Sequence, residues 1–188
     1  MSASLACSAA AQPVPRPPHP APAGDAQITV VPADTVAALL RSLTVRQKVA
    51  QLVMPWILGD SVADDHETMQ RAYRWIDSLE IGGVIVSTGT PQHIADKMNR
   101  LQRRSRLPLL VSADFEAGTT LRMAAGTPFP TQMGIAATGN PEYARAMGRI
   151  TAAEGRAVGV HLAFAPVADV NSNPANPIIN TRSFGGDP

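Results

Sequence analysis

The 188-residue sequence predicts an α/β fold in which parallel strands alternate with helices. Short apolar runs recur between longer amphipathic stretches, the pattern of successive βαβ units. One of these runs, residues 107–113, is apolar almost throughout, as a strand buried on both faces must be, and it ends on the carboxylate of Asp114. Helix boundary signals, such as Thr44 with Gln47 three residues on and Gly159 after Val158, stand at the ends of the amphipathic stretches.

Taken in order, ordered structure is expected to begin near Ala33, with Asp34 as the N-cap of a helix carrying Val36, Leu39, Leu40 and Leu43 at helical spacing. Thr44 opens a second helix through a capping box with Gln47. Residues 52–58 read as a first strand, 66–79 as a helix, and 83–87 as a second strand. Residues 91–106 read as a helix with Ile94, Met98 and Leu101 on its apolar face. The third strand is 107–113. Residues 141–158 form the clearest helix, with Tyr143, Met147, Ile150 and Val158 on one stripe, and 161–170 is the fourth strand. Four β/α repeats are half of a (β/α)8 barrel, which typically needs roughly 250 residues; the chain reads as incomplete.

Two domains of unequal character are expected. Residues 1–33 hold seven of the 17 prolines and no aromatic residue, the composition of a Pro/Ala-rich flexible tail or linker, and residues 34–188 hold the partial barrel. The single cysteine, Cys7, excludes an internal disulfide and a cysteine metal cluster. Small residues precede it, as at the end of a lipoprotein signal, but the apolar segment of about 7–15 residues such a signal needs is missing. The linker composition favours an exported, periplasmic or lipid-anchored protein over a cytoplasmic one. With 16 basic and 15 acidic residues, a net charge of +1 gives no footprint for nucleic acid. The sequence has no dinucleotide or P-loop glycine pattern and no nucleophile elbow. His19, His66 and His93 are scattered without metal-ligand spacing.

A polar residue at the C-terminal end of a barrel strand stands where such folds place their ligand groups, which makes Asp114 a candidate substrate contact. Asp114-Phe-Glu-Ala-Gly118 is followed by Arg122, Thr127-Pro-Phe-Pro130, Ala165-Pro-Val-Ala-Asp-Val-Asn171 and Asn180-Thr-Arg-Ser-Phe-Gly185. Together these ordered motifs resemble the N-terminal half of a glycoside hydrolase family 3 catalytic domain, a TIM-type (β/α)8 barrel, from about Leu43 to Pro188. The similarity is greatest to the β-N-acetylhexosaminidase and β-glucosidase-like branches. The chain departs from the family's Asp-x-Glu-Gly-Gly by carrying Ala117 before Gly118.

The resemblance implies a retaining exo-β-glycosidase, most similar to enzymes that remove terminal β-N-acetylglucosamine, with β-glucosidase as the alternative. A non-catalytic sugar-binding protein or an inactive fragment is the alternative of another class. The substrate-binding residues it implies are Asp114, Arg122 and Arg182. The nucleophilic aspartate and the acid/base histidine of the family fall beyond residue 188, so no residue of this chain is assigned a catalytic role. A carbohydrate is the implied partner, and no cofactor or metal is implied. Glu116 reads as a supporting group rather than the acid, His161 as structural, and Asp169 and Asn171 as residues that fix the following loop by local side-chain bonds.

Overall fold

A computed structural model describes residues 32–187 of the chain. The tail expected over 1–33, including Cys7 and His19, lies outside the described residues except at its last two positions. The chain divides into two units, Met1–Ala38 and Leu39–Pro188. Helix α1 (Ala33–Ser42) crosses the division and buries none of its residues. Asp34 is not its N-cap. The carbonyl of Pro32 accepts from the N–H groups of Thr35 and Val36, so the helix opens two residues earlier. Asp34 lies in the first turn, where its charge still complements the helix dipole.

In the second unit the helix α2 (Val45–Ala50) starts on the expected capping box. Gln47 N–H donates to Thr44 Oγ1 at 3.2 Å, and Thr44 N–H donates back to Gln47 Oε1 at 2.9 Å. A parallel sheet follows, in the order β1 (Trp56–Ile57), β2 (Gly83–Val86), β3 (Leu110–Ala113), β4 (Leu162–Ala163). Its connections are α3 (Glu67–Asp77), α4 (Pro91–Arg104), and the pair α5 (Gln132–Ala136) and α6 (Pro141–Ala157). This is the predicted alternation. Met69 and Ile76 of α3, Ile94 and Leu101 of α4, and Val84, Val86 and Val111 of the central strands form one buried cluster with Phe115. Gly83 sits where a Cβ would lie 2.2 Å from the Leu110 carbonyl oxygen, so glycine lets β2 and β3 approach at that level.

The strands are shorter than predicted, each for a local reason. After α2, the N–H groups of Leu52 and Val53 donate to Val49 and Ala50 carbonyls, which keeps the chain turning as far as Val53. Leu109 exchanges its backbone bonds with the amide of Gln102, at 2.9 and 2.8 Å, instead of a neighbouring strand, so β3 begins only at Leu110. β4 ends early because Phe164 N–H takes the Ala113 carbonyl, the last of β3, and Pro166 has no N–H to offer. The apolar stripe of α6 is also displaced. Met147, Thr151 and Gly155 are its buried residues, whereas Tyr143 and Ile150 are exposed. The absence of a side chain at Gly155 lets the Phe115 ring lie against the helix, which turns that face inward.

Candidate functional site

The C-terminal end of β3 builds the site. Asp114 follows Ala113 directly, and Phe115 beneath it is anchored in the core. The turn that follows closes with Gly118 N–H on the Phe115 carbonyl. Gly118 has φ +85°, a conformation that favours glycine, and the Phe129 ring fills the space a Cβ would need. Ala117 is not among the residues with positive φ. The departure from the resembled motif thus falls on the position that does not require glycine.

Two ion pairs stand on this turn. Arg122 Nη2 donates to Asp114 Oδ2 at 3.1 Å, with both side chains about one-third exposed (32% and 33%). Arg182, on a short 3₁₀ turn (Asn180–Arg182), donates from Nε to Glu116 Oε2 and from Nη2 to Glu116 Oε1, both at 2.8 Å. Its Nη1 donates to the Ile178 carbonyl at 3.0 Å. The Arg182 hydrogen bonds, with smaller help from the charge of Arg122, hold the Glu116 carboxyl below its ordinary range despite partial burial. Arg182 in turn holds its proton more firmly, chiefly through Glu116 and more weakly through the charges of Asp169 and Asp114. Asp114, Glu116, Arg122 and Arg182 therefore share one electrostatic neighbourhood, and the three predicted contacts are brought together.

A guanidinium has five N–H donors. Arg182 uses three on Glu116 and Ile178, which leaves one on each terminal nitrogen. Among the described residues these two donors have no acceptor, and the guanidinium plane that carries them is fixed by Glu116. Arg182 and Glu116 line a cleft of about 420 Å³ with Leu121, Arg122, Thr131 and Gln132. The buried Gln132 donates from Nε2 to the Glu116 carbonyl at 3.0 Å, and its Oε1 has no partner among the described residues. Asp114 does not line the cleft, but Arg122, which does, is bonded to it. A second groove, of about 380 Å³, lies between α6 and β4 among Phe115, Met147, Val160, Leu162 and Phe184. Its apolar walls offer few partners to a polyhydroxylated ligand.

Other expectations resolve differently. Glu116 is fully engaged with Arg182, as a supporting group would be. His161 is structural: its Nδ1 accepts from Val111 N–H at 3.0 Å, and its own N–H donates to the Val111 carbonyl at 2.8 Å, which ties β4 to β3. Neither Asp169 nor Asn171 fixes its loop by a local side-chain bond among the described residues. Asn171 acts through its backbone, whose N–H donates to the Gly185 carbonyl at 2.8 Å and draws the Arg-Ser-Phe segment back toward the strand end.

Two participants went unread in the sequence. Glu154 of α6 accepts from Thr119 Oγ1, from Thr127 Oγ1 at 2.6 Å and from Thr127 N–H at 3.0 Å. Burial works against its charge, but these bonds outweigh it and keep the carboxyl below its ordinary range. Glu154 stands one turn on from Thr151 on a helix of mixed composition, and only its proximity to the buried stripe could have marked it. Lys97 of α4 is 3% exposed, with Nζ 2.6 Å from Asp60 Oδ1 and 2.9 Å from the Leu58 carbonyl. It fastens the segment after β1, and its place between Ile94 and Leu101 on the apolar face was the available signal.

The family model for the glycosyl hydrolase family 3 N terminal domain matches residues 44–188. Among curated proteins, the chain is 38% identical over 109 residues to a β-N-acetylglucosaminidase/β-glucosidase of Cellulomonas fimi, covering 58% of this chain and 19% of that protein. It is 31% identical over 150 residues to the β-hexosaminidase LpqI of Mycobacterium tuberculosis, covering 78% of this chain and 36% of that protein. A solved family 3 β-N-acetylglucosaminidase from Paenibacillus superposes with a TM-score of 0.64 at 34% identity, over 77% of this chain and 28% of that one. The β-glucoside phosphorylase BglX superposes with a TM-score of 0.74 at 30% identity, over 82% and 27%. The chain thus spans about a fifth to a third of the length of these relatives.

Proposed function

The chain belongs to glycoside hydrolase family 3, and from that premise we propose that the protein is a retaining exo-β-glycosidase that removes terminal β-N-acetylglucosamine, with this chain supplying contacts to the terminal sugar. The observation that carries the reading is the fork of Arg182, fixed on Glu116 beside the Asp114–Arg122 pair at the end of β3. Sugar hydroxyls both donate and accept, so a site for them needs fixed donors and a carboxylate in one place. Arg182 and Arg122 supply the donors from the cleft wall, and Asp114, one-third exposed and bonded to Arg122 beside the cleft, supplies the acceptor. Charge-assisted bonds of this kind contribute about 1.5–3 kcal/mol each. Holding the ring in one orientation is the contribution of these residues to catalysis, and none of them is assigned the nucleophile.

The names of the Cellulomonas and Paenibacillus relatives support the N-acetylglucosamine preference, and the Mycobacterium relative is named a β-hexosaminidase. The double name of the first keeps β-glucosidase as the second reading. The test is hydrolysis of chromogenic β-N-acetylglucosaminide and β-glucoside by the protein expressed from its full reading frame, beside Asp114→Ala. Preferential cleavage of the first substrate, lost in the variant, is the expected result. Because one structural relative is a phosphorylase, the assay is run with and without inorganic phosphate, and release of a sugar 1-phosphate would replace hydrolysis by phosphorolysis. Cleavage of neither substrate by the folded protein would leave the sugar-binding protein without catalysis as the better reading.

A further inference from the structure

The segment that carries Arg122 is pinned at both ends by one carboxylate. Glu154, on α6, accepts from Thr119 Oγ1 at the start of the segment, and from the Thr127 N–H and hydroxyl at its end. Between these pins the chain leaves little slack. Arg122 N–H and Met123 N–H both donate to the Thr119 carbonyl, at 3.0 and 2.7 Å. Gly126 passes so close that a Cβ there would lie 2.1 Å from Thr119 Oγ1 and 3.1 Å from Glu154 Oε2. On the far side, Gly89 N–H donates to the Arg122 carbonyl at 3.1 Å, and Ala124 N–H donates to the Gly89 carbonyl at 3.0 Å. The Arg122 backbone is therefore clamped between the segment after β2 and the carboxylate of α6. Among the described residues its side chain carries one ion-pair bond, to Asp114, and a buried Nε without a partner, so its position depends on where the backbone is held.

We propose that Glu154 is a positioning residue: by gathering Thr119 and Thr127 it fixes the loop from which Arg122 reaches Asp114, and through that pair it sets the affinity of the cleft for a sugar. The carboxylate suits the task because its two oxygens can take several donors at once. Glutamine in its place keeps one acceptor oxygen and must point an N–H₂ group at hydroxyl and amide donors. The link to sugar affinity rests on the function proposed above, whereas the control of Arg122 does not.

The experiment separates the two. In arginine-¹⁵N-labelled protein, the Nε–H signals of Arg122 and Arg182 are followed in wild type, Glu154→Gln and Thr127→Val, the last removing one hydroxyl donor should the first variant fold poorly. The expected result is a shifted, faster-exchanging Arg122 signal with the Arg182 signal, held by Glu116, unchanged. An unmoved Arg122 signal in folded variants overturns the proposal, whatever the protein does with sugars. N-acetylglucosamine is then titrated into wild type, Glu154→Gln, Arg122→Ala and the double variant. Glu154→Gln is expected to weaken binding roughly tenfold, about the loss of one charge-assisted bond, and to cost nothing further once Arg122 is alanine. Equal losses in both backgrounds would overturn the route through Arg122. Absence of binding by wild type would count against the sugar reading alone, leaving the arginine signals to decide the role of Glu154.

Discussion

Arg182 and Glu116, 66 residues apart in the chain, meet in a two-point pair with both N···O distances at 2.8 Å. The pair joins the turn after β3 to the end of the described chain, so it fixes loop geometry and guanidinium orientation together. Glu116→Gln is expected to cost about 1 kcal/mol of stability, a figure lowered by the solvent that reaches Arg182. Because Arg182 holds the Glu116 carboxyl below its ordinary value, the unfolded chain takes up this proton first as pH falls. The contribution is complete above the ordinary glutamate value near 4.5 and fades as pH drops through the folded value. Urea midpoints measured between pH 6 and pH 3 should fall more steeply in wild type than in the variant; parallel curves would remove the pair from the stability account.

His161 gives a second, separate pH dependence. Partial burial, then the charge of Arg156, lowers its pKa, and its Nδ1 must stay unprotonated to accept from Val111 N–H. A folded value below the unfolded one means that stability is full above about pH 6.5 and is lost as pH falls from there through the folded value. His161→Asn offers an acceptor that does not titrate. It is expected to flatten the part of the stability curve that falls away below about pH 6.5, while retaining the slope at lower pH that belongs to carboxylates.

The two residues of the turn after Glu116 should respond unequally to substitution. Gly118→Ala places a Cβ against the Phe129 ring at φ +85° and is expected to cost about 1–3 kcal/mol. Ala117→Gly, which restores the motif usual in the resembled family, should cost only about 0.4–1 kcal/mol, through the freer unfolded chain. Chemical denaturation of both variants measures the contrast, and equal costs would mean that strain at Gly118 has been misjudged.

Lys97 and Asp60 form an unequal pair. The lysine is 3% exposed and the aspartate side chain 46%, and the hydrogen bond from Lys97 is the main cause of the lowered Asp60 pKa. Lys97→Met keeps the buried stem and frees Asp60 to water, at an expected cost of about 1 kcal/mol or less. Asp60→Asn leaves a buried ammonium with weaker neutral acceptors, and should cost more, about 2–4 kcal/mol. Thermal unfolding of the two variants checks the order.

The alternation of elements was legible in the sequence because its signals are local. Apolar periodicity, the Thr44–Gln47 box and Gly159 after Val158 each fix a boundary through neighbouring residues. Strand lengths were not legible, since Gln102 claiming the backbone of Leu109, or β3 ending before Phe164 can pair further, depends on tertiary contacts. The site divides in the same way. Asp114, Arg122 and Arg182 stand in recognisable motifs, whereas the partners that hold them do not. Glu154 is 27 residues from Thr127 and 35 from Thr119, and nothing in the spacing of threonines announces a shared carboxylate.

Binding of a terminal sugar in the cleft between Arg122 and Arg182 is tested most directly by a titration of N-acetylglucosamine followed by the two arginine Nε–H signals. Saturable shifts at both arginines, with one common dissociation constant and weaker binding of glucose, are the result expected. If both signals stay in place while N-acetylglucosamine binds elsewhere or not at all, the cleft is not the sugar site.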